Sequence, residues 1–467
     1  MGKIDEIDAK LRYVFGDVIV RKDIVLYQEV SRLPRFISEY LISSSGKEKP
    51  SKEDLEKIAN LVYRCFPEPR DGDKVLHDLM KQGEYKVIDE VKVFTDVSSG
   101  RHIAFLWNLG IECAITDALL EKYENLLRQG LWGLATLQYI ASSEGSYVII
   151  TDFKPFQIAK LDMKAFIDGR KEFTTEEWVD VLVSTIGFNP EILSWRKKLV
   201  IISRLIPLVE PNVNIMELGP RGTGKTYTYL NTSHYTRIFS GGRISPAVLI
   251  WNLTRNIPGE IVTKDCVVFD EISKIEFSNA DELMGRLKLY MEHGFVERGT
   301  KRGISQCSLV FMGNVDVKGE IPVEDFTYVL PEIMRDPAFI DRIHGFIPGW
   351  EVPKIGKLDV YISKHYGFVT DYFAEILHEL RKKTEFYYYI SENVELSNIT
   401  GRDEKAVKKL ASGFLKLICP HGEISDKELK ITLDLALEYR QRIADWLHFM
   451  KPGEFERKKI EYKIRSL

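Results

Sequence analysis

The sequence predicts a mixed α/β fold, and three observations carry that prediction. Residues 212–218 form a short apolar run that passes through a glycine-rich loop into a helical stretch. Two further apolar runs, 266–272 and 307–314, end in polar side chains, as buried parallel strands do at the edge that carries a site. Ahead of these, residues 86–94 and 103–107 alternate apolar and polar with a period of two, the mark of half-buried strands. The chain has 467 residues, enough for two or three domains, and is 44% hydrophobic and 29% charged, an ordinary globular composition. No stretch of eighteen apolar residues occurs and the N-terminus lacks a signal peptide's apolar core, so no membrane partner and a cytoplasmic location are expected. The five cysteines are scattered without CxxC spacing, which predicts reduced thiols. A net charge of −4 excludes an all-over cationic surface and leaves room for a local one.

In order along the chain, residues 1–84 read as a helical N-terminal domain capable of DNA binding through Arg21, Lys22, Arg32 and Arg35. Helical spacing runs over 5–15, 34–43 and 73–81, with a short β-like piece at 18–23. Ser51 with Asp54 three residues on is a helix-start signal. Residues 85–160 give strands at 86–94, 103–107, 131–140 and 147–156 around a helix at 116–128, the pattern of a small five-stranded OB-like β-barrel. A helical connector spans 161–208. Thr174 or Thr175 caps one helix, and Asn189-Pro190 starts another that continues to residue 209. The nucleotide core is placed at 209–352, and a helical lid and tail at 353–467.

The chemistry concentrates in that core. Gly219, Pro220, Arg221, Gly222, Thr223, Gly224, Lys225 and Thr226 form GxxxxGK[ST] between a strand and a helix. Glycines let the backbone curl so that successive N–H groups face phosphates, and the following helix adds its positive end. Lys225 is expected on the β and γ phosphates of ATP, and Thr226 on Mg²⁺. Forty-four residues past Thr226, an apolar strand ends in Asp270 and Glu271. Asp270 is expected to hold Mg²⁺ through water, and Glu271 to polarise the attacking water. Asn314, at the end of the next apolar strand, fits a sensor that helps orient this water. Arg342, in the segment PAFIDRIH, fits an arginine finger aimed at a neighbour's ATP. Arg402, where TGRDEKAV opens a lid helix, fits a second sensor reading the γ phosphate of its own subunit. In this order the pieces predict an AAA+ P-loop ATPase core with a C-terminal helical lid. A finger acting in trans implies a homo-oligomeric ring, most often a hexamer.

Several stretches together resemble one family, the Lon-related BrxL ATPases of BREX bacteriophage-exclusion systems. They are residues 20–24 (VRKDI), 87–91 (VIDEV), the 219–226 loop, 268–272 (VFDEI), 339–344 (FIDRIH) and 400–407 (TGRDEKAV). The resemblance covers nearly the whole chain. It implies a DNA-binding ring, single or stacked as a double ring, that works with other BREX proteins in phage defence. The layout is also similar to replicative ring helicases of the minichromosome-maintenance kind, which put an OB barrel ahead of an AAA+ motor. Longer relatives carry a C-terminal Lon-like protease domain. The residues after Arg402 and its helix are too few for one, so no peptidase activity is expected.

A DNA-translocating ATPase is therefore the leading expectation, with a protein-remodelling ring related to the Lon motor as the alternative. Between the phosphate loop and Asp270, residues 240–261 hold Trp251 flanked by Arg243 and Arg255, without the aromatic–apolar–glycine triplet of unfoldase pore loops. Basic residues suit phosphates better than polypeptide. A second basic stretch, MEHGFVERGTKRG, places Arg298, Lys301 and Arg302 where DNA-handling AAA+ rings project a hairpin into the pore. These three cations are the DNA-binding candidates.

Overall fold

The computed structural model describes residues 3–30, 32–43, 50–97, 99–128, 130–141, 145–156, 161–254, 256–323 and 325–465. The chain divides into two compact units, one of residues 23–161 and one of residues 1–22 with 162–467. The first 22 residues thus group with the C-terminal unit, and the expected 1–84 segment is divided between the two.

In the first unit, helices Arg35–Ser43, Lys52–Cys65 and Gly72–Gln82 precede the strands. Ser51 accepts from the Asp54 N–H while the Asp54 carboxylate accepts from the Ser51 N–H, the reciprocal cap that the spacing predicts. Strands β1 (Glu84–Asp96), β2 (Arg101–Leu106), β3 (Ile111–Ile115), β4 (Leu131–Ile140) and β5 (Tyr147–Pro155) close into a barrel in the order β1-β2-β3-β5-β4. Only β3 and β5 pair in parallel. Inward residues such as Val87, Val91, Ala104, Leu106, Leu137 and Phe153 fill the interior. Sequence alternation does not set β3 apart: at five residues, directly after the β2 turn, it is too short to stand out. The helix expected over 116–128 is two short ones, Asp117–Lys122 and Asn125–Arg128, parted at Tyr123.

The second unit is built on a five-stranded sheet of β6 (Asn214–Gly219), β7 (Thr236–Ile244), β8 (Cys266–Phe277), β11 (Ser308–Asn314) and β12 (Gly345–Pro348). A two-stranded hairpin, β9 (Phe295–Arg298) and β10 (Lys301–Ile304), comes between β8 and β11. The sheet order is β12-β6-β11-β8-β7, and every neighbouring pair is parallel. All C-terminal strand ends therefore share one edge. Phe269 of β8 stacks on Phe311 of β11 at 5.1 Å in the core that covers one face. Helices α1 (Lys225–Thr232), α2 (Ala280–His293), α3 (Gly401–Ile418) and α4 (Asp426–Met450) matter most for the site. Near the N-terminus, Ile19–Arg21 pairs antiparallel with Tyr366–Phe368.

The connector helix departs from expectation. It is not continuous from residue 190 to 209 but three pieces: a turn Pro190–Ile192, a helix Trp195–Ser203 capped by Ser194, and Ile206–Val209. Pro207 has no N–H to continue the ladder, so the chain restarts around it. Among the described residues, no helix is long and apolar enough to cross a membrane.

Candidate active site

The glycine loop leaves β6 at the shared C-terminal edge and enters α1. Gly222 and Gly224 hold φ of +79° and +73°, which L side chains rarely adopt. A Cβ on Gly224 would also lie 2.6 Å from the Phe188 ring, so a side chain is excluded twice over. The Ile355 N–H donates to the Gly222 carbonyl at 2.7 Å and pins the loop from outside. Arg221, at the loop's tip, is exposed, and Pro220 and Thr223 are buried.

Lys225 is buried, and its ammonium donates to the carbonyls of Gly219 (3.0 Å) and Pro220 (2.9 Å) and to Asn314 Oδ1 (3.3 Å). Asn314 reaches it because β11 runs in register with β6, Asn314 opposite Gly219. The Thr226 hydroxyl donates to Asp270 Oδ2 at 2.7 Å across the end of β8. Four expected residues from three neighbouring strand ends are thus gathered at one point. The donor set fits Mg²⁺ and a polyphosphate: a hydroxyl and a carboxylate for a hard cation, and a buried ammonium beside a loop with glycine geometry. When bound, the metal would supply charge neutralisation at the phosphates, with Thr226 and Asp270 holding it.

Glu271 follows Asp270 but leaves the ladder. The pairing of β8 with β7 shifts register between Asp270 and Ile275, and Glu271 takes φ +47°, a left-handed conformation uncommon for glutamate. Strained backbone of this kind concentrates at functional positions. A hydrogen bond from Lys274 at 2.8 Å holds the Glu271 carboxyl below its usual range, so it is ionised at neutral pH.

Burial lowers the Lys225 ammonium to about 8. Phosphate binding selects its charged form. We therefore expect ATP affinity to fall as pH rises through about 8, by roughly tenfold from pH 7 to pH 9. Stability of the nucleotide-free chain moves the other way. An unfolded lysine keeps its proton to higher pH than the folded one, so this group's folding penalty shrinks between about pH 8 and 10.5. Titration of nucleotide binding by calorimetry against pH, beside thermal melting, separates the two trends.

Two residues that support the loop belong to none of the sequence motifs. Arg204 and Glu217 are both fully buried and joined through Arg204 Nη2 (2.7 Å) and Nε (3.0 Å). Arg204 Nη1 also donates to the Thr223 carbonyl at 3.1 Å, which ties this ion pair directly to the phosphate loop. Their one signal in the sequence is a charge of each sign inside two apolar runs, 199–209 and 212–218, immediately before the loop.

Arg342 and Arg402 lie elsewhere. Arg342 precedes β12, and its carbonyl accepts from Asn214 Nδ2 (3.0 Å) at the start of β6. The phosphate loop lies at the other end of that strand, five residues on, or about 16 Å. Arg402 stands with Arg342. Its Nε donates to Glu292 (2.9 Å) and its Nη1 to Asp341 (2.6 Å). Arg402, expected on its own subunit's γ phosphate, is thus placed with Glu292, Asp341 and Arg342 at the opposite end of β6 from its loop. The start of α3 packs against the N-terminal edge of the sheet, so Arg402 is held beside Arg342, away from its own loop.

The basic stretch does form a hairpin. Gly294, at φ +73°, ends α2, and the Ser305 N–H donates to its carbonyl at 2.9 Å. Its three cations are not equivalent. Arg298 donates to the Trp251 carbonyl, Lys301 sits 5.7 Å over the Trp251 ring, and Arg302 is 78% exposed with Glu297 3.9 Å away. The hairpin thus packs on a second small hairpin, Trp251–Asn252 with Ile257–Pro258. Arg243 is exposed, and Arg255 lies outside the described residues.

Two family models match this chain. Residues 148–461 match "Lon-like protease BrxL-like, ATPase domain", and residues 13–139 match "BREX system Lon protease-like protein BrxL N-terminal". The fold and the matched domain define the class: a mixed α/β protein with an ATPase domain. The chain belongs to the BrxL family. It is 34% identical, over 96% of its length, to Lon-like protease BrxL of Escherichia coli O9:H4 (strain HS), and 32% identical, over 97%, to that of Bacillus cereus (strain H3081.97). It spans 66% and 68% of the lengths of these two relatives. A more distant likeness, 21% identical over 64% of this chain, is to uncharacterized protein 440 of Sulfolobus islandicus rod-shaped virus 1.

Proposed function

We propose that this protein is a Mg²⁺-dependent ATPase that assembles as a ring, binds double-stranded DNA and translocates on it in BREX-type phage defence. The observation that carries the reading is the convergence of Lys225–Asn314 and Thr226–Asp270 at the ends of three parallel strands, with ionised Glu271 on the adjoining bulge. In the proposed mechanism the loop N–H groups and Lys225 bind the phosphates, and Thr226 and Asp270 hold the metal. Glu271 takes the proton of the attacking water, and Asn314 orients that water. Arg342, remote from its own loop, acts on a neighbour's nucleotide, which requires a homo-oligomer and suits a hexamer. The sheet order of the core suits an AAA+ P-loop domain, and α3 and α4 would form its lid. The barrel's strand order, with helices between its third and fourth strands, suits an OB fold. The family assignment supports the defence role.

Turnover of ATP with and without Mg²⁺ and double-stranded DNA tests the reading. Failure of DNA to bind at low salt, with turnover intact, would favour the protein-remodelling alternative. Within the hairpin, Arg302→Ala should reduce the slope of log affinity against log salt by about one unit. Arg298→Ala should change that slope less, because its guanidinium is engaged by Trp251. Equal slopes for wild type and Arg302→Ala would remove the phosphate contact.

A further inference from the structure

Helix α2 connects two parts of the molecule that the proposed function treats separately. Its last turn carries Glu292, and Gly294 immediately after it opens the basic hairpin. Glu292 Oε2 is shared by the two arginines: Arg402 Nε at 2.9 Å and Arg342 Nε at 3.3 Å. The Glu292 carbonyl accepts from Lys405 Nζ at 2.6 Å, which fastens the same residue to α3. The hairpin root is equally fixed. Asn212 Nδ2 donates to the Ser305 carbonyl at 2.9 Å, and the Asn214 side chain donates to the carbonyls of Met291 (3.2 Å) and Arg342 (3.0 Å). Glu292 and the hairpin thus share one helix end, with only His293 and Gly294 between Glu292 and the first hairpin strand.

Arg342 is not fully satisfied within one chain. Arg342 Nη1 donates to the Ala338 carbonyl at 2.5 Å, while its buried Nε makes no hydrogen bond, the Glu292 oxygen lying near but off its N–H axis. The surroundings hold charges of both signs: Arg440 pairs with Asp341 and Asp403, and Lys458 with Asp403. His344, fully buried beside β6, is held neutral by its burial and by Lys409, Lys405 and Arg440. The Arg342 Nε–H is a donor left over within one chain, and a phosphate presented by a second copy of the chain would accept from it.

We propose that Glu292 is a positioning residue that holds Arg342 and Arg402 as one unit and couples them to the basic hairpin. A strand gripped by the hairpin then sets the geometry of both arginines at the neighbouring subunit's nucleotide. This rests on the ring ATPase reading above.

The test uses the full chain with Glu292→Ala, Glu292→Gln, Arg402→Ala and the Glu292→Ala/Arg402→Ala double variant. Glu292→Ala should lower kcat about tenfold while KM for ATP stays within about twofold, because the residue touches no nucleotide in its own subunit. Glu292→Gln, whose amide oxygen can still accept from Arg402 Nε, should recover to within about threefold of wild type. The losses of Glu292→Ala and Arg402→Ala should combine to clearly less than their product, as for residues acting as a unit. Any stimulation of turnover by double-stranded DNA should disappear in Glu292→Ala while DNA affinity is retained. Wild-type kcat in Glu292→Ala, fully multiplicative losses, or undiminished DNA stimulation would overturn the proposal. If Glu292→Ala does not fold, a Glu292→Gln variant with kcat tenfold down would overturn it instead. Absence of ATP turnover in the wild type would defeat the ring ATPase reading itself, and this inference with it. Wild-type turnover indifferent to DNA would defeat only the coupling to the hairpin.

Discussion

Glu271→Gln should bind ATP with near wild-type affinity and hydrolyse it about 100- to 1,000-fold more slowly, the loss expected when a positioned general base is removed. The separation of binding from turnover follows from geometry. Nucleotide contacts are assigned to the loop, Lys225, Thr226 and Asp270, which hold one another independently of Glu271. Glu271 is turned out of the strand by the β8 bulge, and its side-chain partner is Lys274. Glutamine keeps the size of the side chain and loses the proton-accepting charge. Single-turnover hydrolysis beside equilibrium binding of a fluorescent ATP analogue measures both quantities. Turnover within threefold of wild type would remove Glu271 from the chemistry and leave Asp270 as the acid to examine.

Arg204→Ala should destabilise the C-terminal unit by about 3–5 kcal/mol, the cost of stranding one member of a buried ion pair. Glu217 has no exposure through which to regain water, and the Thr223 carbonyl would lose its donor too. A second variant distinguishes support of the fold from support of the loop. Replacing both charges, Arg204→Met with Glu217→Met, removes the stranded charge and should recover most of the stability. It does not restore the donor to Thr223, so ATP binding should stay weakened. Denaturant melts give the first quantity and nucleotide titration the second. A double variant that binds ATP normally would show that Arg204 serves the fold alone.

Much of the site is legible in the order of the residues. The phosphate loop is announced by an apolar run that enters a glycine-rich turn, and the Asp270–Glu271 pair and Asn314 each by an apolar run ending in a polar residue. In a parallel strand buried on both faces an unpaired polar residue fits only at the end; Glu217, inside β6, is tolerated because Arg204 pairs it. Capping signals at Ser51 and Thr174 are equally readable, because they depend on residues three apart and both close as reciprocal boxes. The outer strands β7 and β12 are not readable in this way: one is interrupted by glycines and the other is four residues long. Asn189-Pro190 marks a boundary correctly, whereas the apolar spacing around Pro207 suggests an unbroken helix that the proline does not allow.

Local chemistry is what the residue order settles: which residue types lie at which spacing from a glycine loop, and hence an α/β nucleotide site. Which distant residues meet is settled by packing. Arg402 looks like a sensor for its own subunit because spacing from the loop says nothing about which end of the sheet a lid helix packs against. Once α3 packs at the N-terminal edge, Glu292 and Asp341 bind Arg402 beside Arg342. Likewise three cations in five positions look equivalent until a tryptophan some fifty residues earlier in the chain engages two of them. Ion pairs and cation–π contacts act over a few ångströms, and only the folded chain brings such partners within that range.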